Sequence, residues 1–263
     1  MGLLLFGALA VGLFVACRLS AKINYVTRFT YFVIFSCLAG TIFIPLMFFK
    51  PRDSRNGLLP AAFLLFWMRV IGTTYEVKGK ENIVKNTGAV VLMNHQSVLD
   101  LNVLGCIWPH TPNGCVISKR EVFWLWPFGL GAWLWGTVFI NKLNPETSQK
   151  DLNKAGSHIA TSKARICMFP EGTRHRGPDL LPFKKGAFHL ALNAQCPIQP
   201  IVINNYHFLD DKTWRFESGH TIIQVLPAIE TKGMGKEDLP ALIDKAHKVM
   251  NEGFKKLNEK TTW

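Results

Sequence analysis

The chain is predicted to fold as an α/β domain, a largely parallel sheet of about seven strands flanked by helices, with N-terminal membrane helices ahead of it. Three observations predict this. Short β-branched runs recur after Thr73, stretches with helical patterning separate them, and residues 2–17 and 29–49 carry no charge.

A length of 263 residues suffices for one α/β domain of about 200 residues with additional elements. Thirty Lys and Arg against 18 Asp and Glu give a net charge of +12, yet only 18% of residues are charged and 48% are apolar. That balance excludes a disordered or fibrous protein. Eight Trp and 19 Phe in uncharged runs direct the basic excess toward an anionic membrane surface or a phosphate-bearing lipid rather than nucleic acid. The cysteines are scattered, without C-x-x-C or zinc-ligand spacing, so neither a disulfide framework nor a metal site is expected.

Taken in order, residues 2–17 are apolar but short for a spanning helix, whereas 29–49 reach spanning length. Arg18, Lys22 and Arg28 lie between the two runs and Lys50, Arg52 and Arg55 follow the second, so charge bias leaves orientation open. Residues 1–56 thus read as a membrane-anchoring segment with helices at about 2–17 and 29–49, and 57–263 as the α/β domain. Leu58 to Val70 is apolar enough for an interfacial or docking helix. Strands are expected in TTYEVKG, GAVVLM, CVIS, GTVFI, RICMF, PIQPIVI and TIIQVL, and helices at 98–107, 146–163, 186–195 and 239–258. The last of these repeats apolar residues at Leu242, Ala246, Val249, Met250, Phe254 and Leu257, a core-facing stripe.

Residues 122–140 are also uncharged, but Pro127, Gly129, Gly131 and Gly136 interrupt them. A crossing there separates the motifs on its two sides onto opposite faces of the bilayer. The segment is therefore read as an aromatic-rich surface that contacts the membrane or lines an apolar tunnel, ending in a buried strand.

Chemistry concentrates where strands end. After AVVLM come Asn94, His95, Gln96, Ser97, Val98, Leu99 and Asp100. In a continuous helix His95 and Asp100 point roughly 140° apart, so they meet only if the chain bends between them. Ser97 supplies that bend as an N-cap, with Asp100 turned back toward the helix start and onto one imidazole nitrogen. The same residues also read as a capping box beside an ordinary loop histidine, and spacing alone leaves both readings open. After RICM, the run Phe169-Pro170-Glu171-Gly172-Thr173-Arg174 makes a turn that leaves Glu171 and Arg174 projecting at the sheet's edge, with His175, Arg176, Lys184 and Lys185 close behind. A solvated basic loop with a Glu–Arg ion pair is the alternative. GTVFI presents Asn141 and Lys142 at its end, and two prolines frame CPIQPIVI.

These four blocks resemble, in order, those of the glycerolipid acyltransferases, with 1-acyl-glycerol-3-phosphate acyltransferases of the animal type the nearest likeness. NHQSVLD matches the N-H-x-x-x-x-D box, GTVFINK the second block, FPEGTR the third and CPIQPIVI the fourth. The resemblance implies transfer of an acyl group from acyl-CoA to the sn-2 hydroxyl of lysophosphatidic acid, giving phosphatidic acid. Acyl-CoA is then a substrate, and no cofactor, metal, nucleic acid or protein partner is implied. His95 falls on the family's general base and Asp100 on its partner. Arg174 falls on its phosphate-gripping arginine, with Glu171 and Gly172 beside it. Lys142 stands where many members carry Arg, keeping the charge but not the bidentate fork. Asn141, Lys184 and Lys119 occupy further family positions. A backbone N–H beyond His95 is expected to stabilise the oxyanion. The implied location is the endoplasmic reticulum membrane, multi-pass or monotopic. Another lysophospholipid or glycerol-3-phosphate as acceptor, a non-catalytic lysophospholipid-binding protein, and a lipid hydrolase are the alternatives.

Overall fold

The computed structural model describes residues 15–140, 156, 157, 159 and 161–259, together with 2, 5 and 12. Its strands are β1 (Thr73–Lys78), β2 (Ala89–Met93), β3 (Gly114–Lys119), β4 (Val138–Ile140), β5 (Arg165–Met168), β6 (Ile198–Ile203), β7 (Leu209–Asp210), β8 (Arg215–Phe216) and β9 (Gly219–Val225). Seven of them form one sheet in the order β1-β9-β6-β2-β5-β3-β4, each run falling where the β-branched patterning places a strand. All neighbours are parallel except β6 and β9. The separate β7–β8 hairpin has no strong periodic signal in the sequence and is an addition to the expected plan.

The helices are α1 (Ala21–Ile42), α2 (Ile44–Met47), α3 (Leu58–Val70), α4 (Asp100–Ile107), α5 (Phe128–Leu134), α6 (Gly186–Ala194) and α7 (Leu239–Glu259). Side chains alternate across a strand, so β2 serves two cores at once. Val90 and Leu92 point into a core closed by α6 and α7, while Val91 and Met93 point into one closed by α1, α3 and α4. A strand buried on both faces needs an unbroken apolar run, and AVVLM is that run. The α7 stripe buries Leu242, Ala246, Met250, Phe254 and Leu257, but not Val249. Each large apolar side chain so buried contributes about 1.5–3 kcal/mol.

Two expectations about the N-terminal segment change. The helix placed at 29–49 begins at Ala21 and ends at Ile42. The Ser20 hydroxyl caps it by accepting from Ile23 N, and Arg28 is accommodated inside it because its guanidinium donates to Asn24 Oδ1 and Ile71 O. A charge that finds partners does not end a helix. Pro45, in the first turn of α2, starts that short helix instead. Of the helix placed at 2–17, most lies outside the described residues, as does most of 146–163.

Residues 122–140 form no continuous helix. A 3-10 turn (Arg120–Trp124), α5 and β4 divide the segment, and β4 closes one edge of the sheet. Gly131 lets α5 approach α1 so closely that a Cβ there meets the backbone carbonyl of Gly40. The motifs before and after the segment therefore share one sheet.

Candidate active site

β2, β3, β4, β5 and β6 run parallel, so their C-terminal ends open on one edge, where α/β sheets place reacting groups. The NHQSVLD loop leaves β2 there. His95 Nδ1 lies 2.6 Å from Asp100 Oδ2, with the His95 side chain 21% exposed and that of Asp100 only 3%. Asp100 Oδ2 also accepts from Gln96 N at 2.8 Å and Ser97 N at 3.2 Å. Leu99 N donates to the Ser97 hydroxyl, and Asp100 N to Ser97 O, closing the turn ahead of α4. The carboxylate that completes the turn also holds the imidazole, but the helix is capped at Leu99 and not at Ser97, whose hydroxyl closes only the bend before it. Its reach back to the amides of Gln96 and Ser97 occupies the nearest donors to which an oxyanion role could be given.

Among the described residues His95 Nε2 has no hydrogen-bond partner, and the side chain is part-exposed. Phe169 stacks on the imidazole at 4.2 Å between centroids and 23° between planes. The FPEGTR turn supports His95 from below through its acid. Glu171 is 2% exposed, and its two oxygens accept from His95 N at 2.9 Å and Leu181 N at 3.0 Å. The expectation of a Glu171 projecting at the sheet's edge is therefore corrected, because two otherwise unpaired backbone amides draw the carboxylate inward. Burial pushes its carboxyl above the usual value, while the two amide hydrogens oppose the shift.

His175 N donates to His95 O at 2.8 Å, which brings the turn's basic end beside the dyad loop. Arg174, one residue earlier, is exposed, and among the described residues its side chain has no hydrogen-bond or ion-pair partner. Gly172 has φ +69°, and the Lys184 side chain lies across it, with Nζ 2.8 Å from where a Cβ stands. Gly172 is thus needed both for the left-handed turn and for the passage of Lys184. Arg176 is not part of this open cationic group. It donates to Leu209 O at 3.0 Å and pairs with Asp211, which also accepts from Tyr25 OH of α1 at 2.8 Å. Lys119 ends β3 beside Ile140 at the same sheet edge. Asn141 and Lys142 follow directly and lie outside the described residues.

The fourth block reaches the site through polar side chains that motif spacing does not single out. Asn94 pairs with both backbone groups of Ile203, at 3.0 and 2.8 Å. Gln96 donates to Ile203 O and Asn204 O and accepts from Tyr206 N. The Tyr206 hydroxyl donates to Asp100 Oδ1 at 2.6 Å. The sequence hint for Asn94 and Gln96 is that both are polar residues on an apolar strand's end, where burial demands partners.

Residues 74–204 match the Acyltransferase family, a span that includes every residue of the dyad loop and the FPEGTR turn. The chain is 35% identical to human 1-acyl-sn-glycerol-3-phosphate acyltransferase alpha over 244 residues, covering 92% of this chain and 84% of that protein. The chain belongs to the 1-acyl-sn-glycerol-3-phosphate acyltransferase family. Another member, the 1-acyl-sn-glycerol-3-phosphate acyltransferase of Haemophilus influenzae, is 29% identical over 224 residues, 85% of this chain and 90% of its own. The crystal structure of the 1-acyl-sn-glycerophosphate (LPA) acyltransferase PlsC from Thermotoga maritima superposes with a TM-score of 0.67 at 22% identity, covering 93% of this chain and 99% of that one. That likeness shows that the two chains share a fold.

Proposed function

We propose that the chain transfers an acyl group from acyl-CoA to the sn-2 hydroxyl of lysophosphatidic acid, with His95 as general base. The observation that carries this is the 2.6 Å contact of His95 Nδ1 with a buried carboxylate, which leaves Nε2 without a partner among the described residues, on a loop that the FPEGTR turn joins through His175 N and His95 O. A hydroxyl is a weak nucleophile near neutral pH, and a positioned imidazole raises its reactivity by typically about 10²–10⁴-fold.

In the proposed step Nε2 takes the hydroxyl proton as the oxygen attacks the thioester carbonyl. Asp100 fixes the Nδ1–H tautomer and stabilises the imidazolium. The tetrahedral intermediate collapses by expelling the CoA thiolate, which receives the proton back from Nε2 and leaves as the thiol. Arg174, with Lys184 lying over Gly172, supplies the positive charge for the acceptor's phosphate, so that holding the phosphate orients the hydroxyl. Asn141 and Lys142, which follow β4 in the sequence, are assigned to the same acceptor side on the motif match alone. Glu171 acts from beneath, on the His95 and Leu181 amides. The step requires no cofactor.

Among the described residues α1 is the one helix long and apolar enough to cross a bilayer. At 1.5 Å per residue it is about 33 Å long. Its contacts with the domain run from Asn24, bonded to Phe216 O, through Tyr31, bonded to Trp67 O, to Gly40 against Phe128. One side of the helix is thus held by the domain between Asn24 and Gly40. Its opposite side exposes Ile23, Val26, Val33, Ile34 and Ile42. We therefore favour monotopic attachment, with this face and the exposed Trp124 and Trp126 in one leaflet, at the endoplasmic reticulum membrane as the resemblance implies.

The test is turnover of labelled acyl-CoA and lysophosphatidic acid by purified protein in lipid nanodiscs. Phosphatidic acid is the expected product, and His95→Ala abolishes its formation at normal protein yield. Undiminished turnover in that variant overturns the mechanism. Free fatty acid as the main product indicates a hydrolase instead.

A further inference from the structure

We infer that Tyr206 is a positioning residue of the dyad, its phenol holding Asp100 Oδ1 so that Oδ2 stays aimed at His95. This rests on the acyl-transfer reading above and adds a residue that touches no substrate.

The Asp100 carboxylate is nearly sealed from water and its two oxygens are used differently. Oδ2 faces His95 Nδ1, Gln96 N and Ser97 N, whereas Oδ1 faces the Tyr206 hydroxyl at 2.6 Å. A carboxylate held on one oxygen alone is free to rotate about its Cβ–Cγ bond. A short bond on the second oxygen fixes its plane and delocalises its charge. Tyr206 is 2% exposed, and its own amide is held by the Gln96 side chain, so the phenol cannot easily swing away.

The titratable groups around the carboxylate come from several elements. His95 lies on the same loop, Tyr75 on β1, Cys106 on α4 and Tyr206 after β6, while Glu171 and His175 stand behind His95. Burial raises Tyr75 and Tyr206 above the ordinary phenol value and Cys106 to about 12. All three therefore stay neutral while the enzyme works. Tyr206 is then a permanent donor rather than a proton carrier, and its effect must reach catalysis through Asp100. Without it the carboxylate presents more charge to the imidazole, holding the proton on His95 more tightly and less productively.

The experiment compares pH profiles of kcat and kcat/KM for wild type and Tyr206→Phe from about pH 5 to 9. Phenylalanine keeps the ring that packs against Phe208. The expected result is a kcat about tenfold lower with both KM values unchanged, and an acid limb whose midpoint moves up by about half a pH unit. Site-specific 3-fluorotyrosine at position 206, which keeps the hydroxyl and makes it a stronger donor, moves the midpoint down. It serves also if Tyr206→Phe does not fold. Profiles that superimpose on wild type in whichever variant folds overturn the inference. His95→Ala, run alongside, separates the two levels: if it retains turnover the acyl-transfer mechanism fails, and if it is inactive while the profiles superimpose only the role of Tyr206 fails.

Discussion

Replacing Glu171 by Gln isolates the contact that distinguishes this site from a generic basic loop. The carboxylate accepts two backbone N–H groups while 2% exposed, and hydrogen bonds to a charged group contribute about 1.5–3 kcal/mol each. Gln is nearly isosteric but can accept through only one of the two positions. The other presents an NH₂ to an N–H, which leaves a buried donor without a partner. The expected loss is about 2–4 kcal/mol of stability, or roughly a 10 °C fall in melting temperature for a chain of this size. Because one of the two amides belongs to His95, activity falls as well. A misplacement near 1 Å costs on the order of 100-fold, so kcat is expected to drop between about 10- and 100-fold. The acceptor KM should stay near the wild-type value, since neither oxygen is available to substrate. Thermal melts in detergent and steady-state kinetics at saturating acyl-CoA read both effects. A variant with unchanged kcat and a raised acceptor KM refutes the reasoning, because it means that Glu171 touches the acceptor rather than the His95 backbone.

Three further outcomes follow from single contacts. Folding stability carries a Glu171 component that falls as pH rises from the ordinary carboxyl value of 4.5 toward the raised folded value, since the folded chain holds that proton more tightly than the unfolded one. The stability-versus-pH curves of wild type and Glu171→Gln should run parallel outside that window and differ in slope within it. Gly172→Ala forces a left-handed φ on a residue with a Cβ and displaces Lys184, so the acceptor KM should rise severalfold with protein still folded; an unchanged KM removes Lys184 from the phosphate site. Trp124 and Trp126 are 72% and 71% exposed, and changing both to Ser should weaken binding to anionic vesicles by roughly tenfold per ring in a flotation assay, while equal binding denies them a membrane role.

The parts of this site that are legible in sequence are those made within one turn of chain. Ser97 and Asp100 declare a bend because capping chemistry is local, and His95 is caught by that bend. The seven strands are legible for the same reason, through alternation and β-branching in short windows. Tyr206 is not, because it meets Asp100 across 106 residues and the distance is fixed only when β6 pairs with β2. Glu171 misleads in a related way. An acid beside an arginine suggests an ion pair or a ligand, but its partners are backbone amides that every sequence possesses. The N-terminal helix shows the limit of hydropathy: charge counts locate the apolar face, whereas Ser20 and the partners of Arg28 decide where the helix begins.

In the proposed mechanism a phosphate held by the FPEGTR turn delivers the acceptor hydroxyl to His95. The direct measurement is a structure with a non-hydrolysable lysophosphatidic acid analogue bound in a lipid mimetic. The predicted result is the sn-2 oxygen within about 3 Å of His95 Nε2 while the phosphate rests on the Arg174 guanidinium. A phosphate seated elsewhere, with the hydroxyl out of reach of Nε2, contradicts it.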